Sequence, residues 1–210
     1  VSIGRIAATA ALAKRVIVFA RVPRLGEVKT RLARSIGEHA ALSAHRELLA
    51  AAMATAARAG ADGVELCIAG DDRDGECAGL AASFGASLSV QRGASLGDRM
   101  GEALGRALAE GCWPALIGCD VPSLTASDLR CAFGALELCD AVFSPAEDGG
   151  YGLVACRREI GVAFESIPWG QPTVMAATRE RLRSAGIGWT ELRTVWDVDE
   201  LDDLLRWRGR

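Results

Sequence analysis

Residues 16–33 read VIVFARVPRLGEVKTRLA. An apolar run empties into a proline, then a glycine, then Lys29-Thr30-Arg31. Such a short run bounded by turn residues predicts a buried strand over 16–20. A glycine lets backbone N–H groups turn toward an anion, and lysine and arginine supply countercharge, so the loop is built like a phosphate cradle. Two familiar glycine-rich signatures do not fit it. A Walker A loop needs glycine directly before Lys-Thr, where Val28 stands, and GxGxxG spacing is absent around Gly26. Local chemistry therefore leaves two readings, a phosphate loop or a basic surface loop ahead of a helix.

Outward from this stretch, the pattern alternates. Ser35-Ile-Gly-Glu38 matches a capping box, which predicts a long alanine-rich helix running to about residue 59. Strands are expected at 64–69, 87–90, 115–118, 141–144, 151–156 and 192–195. Helices are expected at 76–83, 97–110, 125–136 and 173–185, with a terminal helix capped by Asp199. Strands alternating with helices imply an α/β domain, a three-layer α/β/α sandwich on a mostly parallel sheet. Two close strands around PAEDGGY break the rhythm, so the sheet is expected to be mixed. We divide the chain into an extension over 1–15 and one domain over 16–208.

Net charge is −3 and the pI is near 5.5, which gives no global pull toward nucleic acid or an anionic membrane. Neither is expected as a partner. The charge is uneven, however. Residues 14–34 carry seven basic side chains and one acid, Glu27, whereas residues 191–203 carry six acids and one base. A basic loop and an acidic tail suit a site where an anion meets a metal cation, although two solvated faces would look the same. The seven cysteines are never closer than seven residues apart, so no CxxC pair exists. They read as reduced, mostly buried thiols of a cytoplasmic protein. No apolar run reaches the roughly 18 residues a membrane span requires.

Carboxylates cluster after apolar runs. ALIGCDVPSL places Asp120 just past a buried strand, at the sheet edge where open α/β sheets bind ligands. An aspartate there can hold Mg²⁺ or can simply turn the chain. PAEDGGYGL puts Asp148 beside Gly149 and Gly150, in a hairpin turn or a ligand loop. WDVDELDDLL spaces Asp197 and Asp199 two apart, on one side of an extended segment if the alternation holds. Both histidines, His39 and His45, lie on one helix six residues apart, poor spacing for a shared zinc and more consistent with positions that are solvated or capped by neighbours. Gly93-Ala-Ser95-Leu-Gly97 matches GxSxG, but a nucleophile elbow wants a later histidine and both precede it.

Taken in order, FARVPRLGEVKTRL, LGDRM, IGCDVPSL, SPAEDGGYGL, Trp169-Gly170 and DVDELDDL resemble the radical-SAM/selenodomain-associated transferases. These are grouped with the nucleotide-diphospho-sugar transferases of GT-A fold, and phospholactate guanylyltransferase is a cousin. The resemblance runs from about Val16 to Leu205. It implies a nucleotide bound at the C-terminal sheet edge, with Gly26, Lys29, Thr30 and Arg31 toward its phosphates. It implies Asp120 with Asp197 and Asp199 as metal ligands, and Asp148, Gly149 and Gly150 as a substrate loop. Arg99 matches the LGxRM arginine and is grouped with that substrate loop. Two departures stand out: Ser95 replaces an acid before the LGxRM leucine, and Asp199-Glu-Leu replaces Asp-Thr-Pro.

The resulting expectation is an enzyme, a Mg²⁺- or Mn²⁺-dependent nucleotidyl- or glycosyl-transferase with Asp120 and Lys29 in catalytic roles. Its donor would be a nucleoside triphosphate or sugar nucleotide, and its acceptor a small molecule. The alternatives are a non-catalytic module that binds the same nucleotides and, more remotely, a serine hydrolase acting through Ser95. No motif points to an oligomeric interface.

Overall fold

The computed structural model describes residues 12–209, so most of the extension read over 1–15 lies outside the described residues. Strand β1 (Ala13–Arg21) is longer than the apolar run and begins three residues before it. Its inner part, residues 16–20, is buried, as expected for a central strand covered on both faces. The other strands are β2 (Gly63–Ala69), β3 (Ser87–Val90), β4 (Cys112–Gly118), β5 (Ala141–Pro145), β6 (Tyr151–Cys156) and β7 (Trp189–Glu191).

Together they form one seven-stranded sheet of order β3-β2-β1-β4-β6-β5-β7. Pairing is parallel except along β6, which runs antiparallel to both β4 and β5. The Asp-Gly-Gly turn explains the exception, because a tight hairpin must reverse the chain. The fold is the expected α/β type with a mostly parallel, mixed sheet.

Helices cover both faces. Helices α2 (Glu38–Ala57), α3 (Glu76–Ser83) and α5 (Ala126–Ala135) pack on one side, where Leu49, Met53 and Leu129 meet Val16, Val18 and Ile117. Helices α4 (Leu96–Ala109) and α6 (Val174–Ser184) take the other, where Met100, Leu104 and Leu182 meet Ile17, Leu116 and Phe143. A 3-10 turn at Gly161–Phe164 packs with them. Helix α1 (Thr30–Ile36) and helix α7 (Leu201–Arg208) close the C-terminal edge through Leu32, Trp196, Val198 and Leu204.

Three local expectations are corrected. Ser35 caps nothing: a helix already runs from Thr30, and Gly37 then separates it from α2. The last strand is Trp189–Glu191, and Val195 makes only an isolated bridge to Ala146. Asp199 is not the cap of α7; Glu200 is, in a reciprocal capping box with Asp203. No helix among the described residues is long and apolar enough to cross a membrane.

Candidate active site

Parallel strands β1 and β4 end side by side, with Phe19 opposite Gly118. Their C-terminal ends open into a cavity of about 600 Å³, the sheet edge at which such folds bind ligands. The cavity is lined from both sides of the sheet. Lys29, Thr30 and Arg31 come from the loop after β1, and Asp120 from the turn after β4. Asp148 and Gly150 come from the hairpin, Asp197 and Asp199 from the late acidic segment, and Arg99 from α4. Gly26 and Gly149 are not on its wall.

The late acidic segment is brought to Asp120 by backbone contacts. Ser123 is buried, donates its hydroxyl to the Trp196 carbonyl and accepts the Trp196 N–H, both at 2.8 Å. Val198 N–H donates to the Asp120 carbonyl at 2.9 Å. Trp196 and Val198 are buried against α1, α2 and α7. In extended backbone, alternate residues face opposite ways, so Asp197 and Asp199 turn toward Asp120. One carboxylate oxygen from each of the three lies within 4.8 Å of the others.

Lys29 stands at the centre of this cluster. Its Nζ donates to Asp120 Oδ2 at 3.0 Å and to Asp199 Oδ1 at 3.1 Å, and its side chain is only 6% exposed. Arg31, mostly exposed, reaches Asp199 at 3.4 Å. Lys29 is also a non-glycine residue in the left-handed region, at φ 47°. That conformation costs roughly 1–2 kcal/mol and persists where surrounding contacts over-determine it, as two ion pairs do here. Thr30 follows as the first residue of α1.

Burial alone would lower the Lys29 pKa, but Asp120 and Asp199 raise it above the ordinary lysine value. Burial pushes the Asp120 carboxyl up, yet Lys29 outweighs it and holds the group below the usual carboxylate range. Among the described residues Asp197 has no such ion pair. Burial, then the charges of Asp120, Asp199 and Asp148, push it up to about 6. Lys29 and the exposed Arg31 pair with Asp120 and Asp199 only, so the cluster of three carboxylates keeps unbalanced negative charge at Asp197. Their hard oxygen donors suit Mg²⁺ or Mn²⁺, so the residues present fit a divalent cation.

The hairpin supplies a third side. Asp148 Oδ1 accepts the Gly150 N–H at 2.9 Å, which shapes the turn. Gly149 has φ 90°, and a Cβ there would lie 2.0 Å from the Pro172 carbonyl oxygen. Its own carbonyl accepts the Met175 N–H, tying the loop to the start of α6.

Sequence reasoning missed several of these residues. Of its two expected settings His45 takes the capped one, buried with its Nε2–H donating to the Arg21 carbonyl at 3.0 Å, but its place on the cavity wall was not foreseen. Burial, then the backbone contact against it and the nearby Lys29 charge, leave its pKa lowered. The signal was available, because Ala41, Ala44, His45, Leu48 and Leu49 form one buried stripe at helical spacing. Gln91 was also missed; its amide donates to the carbonyls of Ala20 and Cys67 beside the cavity. Ser95 is an ordinary N-cap of α4, with extended backbone at φ −109° and a reciprocal capping box with Asp98. It lacks the strained turn of a nucleophile elbow.

Residues 50–171 match the family described as uncharacterized protein conserved in bacteria (DUF2064). The chain belongs to the DUF2064 family. The match includes Asp120, Asp148 and Arg99, whereas Lys29, Asp197 and Asp199 lie outside it. No curated protein matches this DUF2064 chain in sequence.

Among solved structures, a provisionally named nucleotide-diphospho-sugar transferase from Desulfovibrio desulfuricans G20 is similar, with TM-score 0.85 and 29% identity over 93% of this chain and 87% of that one. CMP:2-keto-3-deoxy-manno-octonic acid synthetase, solved with CTP, aligns with TM-score 0.56 and 17% identity over 94% and 98% of the two chains. Glucosyl-3-phosphoglycerate synthase from Mycobacterium tuberculosis, solved with Mn²⁺, UDP and glucosyl-3-phosphoglycerate, aligns with TM-score 0.54 and 14% identity over 94% and 76%. The last two likenesses show a shared fold.

Proposed function

We propose that this DUF2064 protein is a cytoplasmic, divalent-metal-dependent transferase. Its donor is a nucleoside triphosphate or a sugar nucleotide, and its acceptor is a small molecule. The observation that carries this reading is the convergence of Asp120, Asp197 and Asp199 on one point beside Lys29, at the C-terminal edge of the sheet. Nucleotide-bound relatives of the same fold, one holding CTP and one holding UDP with Mn²⁺, support it.

In this reading Asp120, Asp197 and Asp199 hold Mg²⁺ or Mn²⁺. The bound cation supplies Lewis-acid charge at the donor's phosphate oxygens. Lys29 and Arg31 add fixed positive charge on the loop side, where negative charge grows on the leaving phosphate. Such preorganised charge costs no reorganisation during reaction, so catalysis is mainly positioning and electrostatics. Buried His45 excludes water behind Lys29, and Asp148 with Gly150 shapes the substrate side.

Thermal unfolding against a panel of nucleoside triphosphates and sugar nucleotides, each with and without Mg²⁺ or Mn²⁺, tests the proposal. A ligand that binds only the native state raises Tm by mass action. A metal-dependent rise with one donor, absent in Asp120→Asn, is the expected result. No rise with any nucleotide at saturating concentration overturns it.

A further inference from the structure

The cavity has two halves of different chemistry. Toward α1 it is charged, with Lys29, Arg31 and the three aspartates. Toward α4 and α6 its walls are apolar, built from Leu96, Met100, Tyr151, Trp169 and Val174. The sheet lies between α4 and the α2 layer, so these halves straddle its edge.

Arg99 sits in the apolar half. Its Nε–H donates to the Gly93 carbonyl at 3.1 Å, which fixes the guanidinium plane. Among the described residues no carboxylate reaches it, whereas Lys29 and Arg31 in the charged half are both ion-paired. The two terminal nitrogens are left as a fork of N–H donors. That geometry matches a carboxylate or a phosphate, which accept two parallel bonds.

The wall beside Arg99 is rigid. Trp169 meets Tyr151 edge-to-face at 6.2 Å, and Tyr151 meets Phe143 at 5.1 Å. Gly97 lets the Trp169 segment lie directly on the first turn of α4. A Cβ at Gly97 would stand 2.8 Å from the Phe164 carbonyl oxygen and 3.1 Å from Trp169 Cζ2. An apolar slot with one fixed, unpartnered cation is a small-ligand site in which the cation sets orientation.

We propose that Arg99 binds an anionic group of the acceptor. The acceptor is then a small molecule with a carboxylate or phosphate at Arg99 and an apolar body against Met100, Tyr151 and Trp169. Calling this ligand the acceptor rests on the transferase reading; the anion subsite itself does not. The donor's phosphates have their own cations, Lys29 and Arg31, on the other side of the sheet edge.

The test is calorimetric titration of the full chain with phenyl phosphate, 3-phenylpropionate and neutral benzyl alcohol. Arg99→Gln and Arg99→Lys are titrated alongside, and the metal–nucleotide thermal shift is measured for all three proteins. At least one anion is expected to bind the unaltered protein, with benzyl alcohol much weaker. Affinity is expected to fall roughly 10- to 100-fold in Arg99→Gln, the loss of a charge-assisted pair. Arg99→Lys should fall in between, because it keeps the charge and loses the fork. Tighter phenyl phosphate marks a phosphorylated acceptor, and tighter 3-phenylpropionate marks a carboxylic acid.

Anion binding that Arg99→Gln leaves unchanged, or no anion binding at all, overturns the subsite. So does a matching loss of the nucleotide shift, which would place Arg99 at the donor. If no nucleotide shifts Tm but Arg99-dependent anion binding persists, the transferase reading falls and the subsite stands.

Discussion

The Lys29 ammonium lies 3.0 Å from Asp120 and 3.1 Å from Asp199, joining residues 91 and 170 positions apart in the chain. An internal cation therefore sits among the same carboxylates that suit a metal ion. In the proposed reading, metal and ammonium would compete for Asp120 and Asp199. Lys29→Met is expected to bind Mn²⁺ roughly tenfold tighter in the nucleotide-free protein, the scale of one lost charge-assisted contact. The same variant should bind the nucleotide more weakly, because a phosphate cation is gone. Titration with Mn²⁺ followed by electron paramagnetic resonance reads the first effect directly. Weaker Mn²⁺ affinity in a folded variant would show that Lys29 supports the metal site, and unchanged affinity would show that the two cations do not compete.

Asp197 carries the site's unrelieved charge. Its folded pKa, near 6, exceeds the ordinary value of 3.8 because of burial and three neighbouring carboxylates. The sign follows from proton linkage. Below the unfolded pKa this group contributes no penalty; as pH rises through the folded pKa, stability is lost, and above it the loss is complete. Asp197→Asn removes that penalty. Allowing for its partial exposure, the gain near neutral pH is ~1–2 kcal/mol. Metal-free Asp197→Asn should then melt about 2–6 °C higher near neutrality and match the unaltered protein near pH ~4. It should also lose metal-dependent stabilisation. Calorimetric scans across that pH range, with and without Mn²⁺, check both effects; a lower Tm near neutrality would contradict the charge argument.

How much of this could be read in the sequence depends on how local each signal is. Buried runs such as residues 16–20 and 64–69 announce strands in themselves, and Thr125-Ala-Ser-Asp128 forms the capping box its letters suggest. Alternation at Trp196-Asp197-Val198-Asp199 put the two carboxylates on one side, and the structure buries Trp196 and Val198 on the other. The same capping pattern at Ser35 misled, because Lys29 in the left-handed region had already set the start of a helix. Strand β7 was misplaced since three residues at a sheet edge carry too little periodicity. The Lys29 ion pairs, and the Ser123 latch on Trp196, link segments with no local trace of each other. Gly149 gave only a sign of close approach and Gly97 gave none, and the partners Pro172 and Phe164 required the fold.

The Ser123 latch makes a further prediction. Its hydroxyl satisfies both the N–H and the carbonyl of Trp196 in a buried setting. Ser123→Ala removes both of these hydrogen bonds from a buried setting, a cost of about 1–3 kcal/mol. Because Asp197 and Asp199 flank this anchor, the variant should also bind Mn²⁺ more weakly. Hydrogen exchange should quicken at residues 195–199 before it does at β1. Uniform acceleration across the sheet would mean that the latch serves stability alone.

Gly97 separates helix propensity from packing. In an exposed helix, Gly→Ala is stabilising by about 1 kcal/mol. Here a Cβ would press against the Phe164 carbonyl oxygen at 2.8 Å, and backbone cannot swing away as a side chain can. Overpacking of this kind costs about 1–3 kcal/mol and shifts the crowded segment. Gly97→Ala should therefore lower Tm and push the Trp169 segment off α4, widening the apolar half beside Arg99. The metal–nucleotide thermal shift should survive, since Lys29 and the aspartates are untouched, while binding of the anionic probes weakens. A rise in Tm with unaltered probe binding would mean that the 164–169 segment yields without cost, and that the wall facing Arg99 is not rigid.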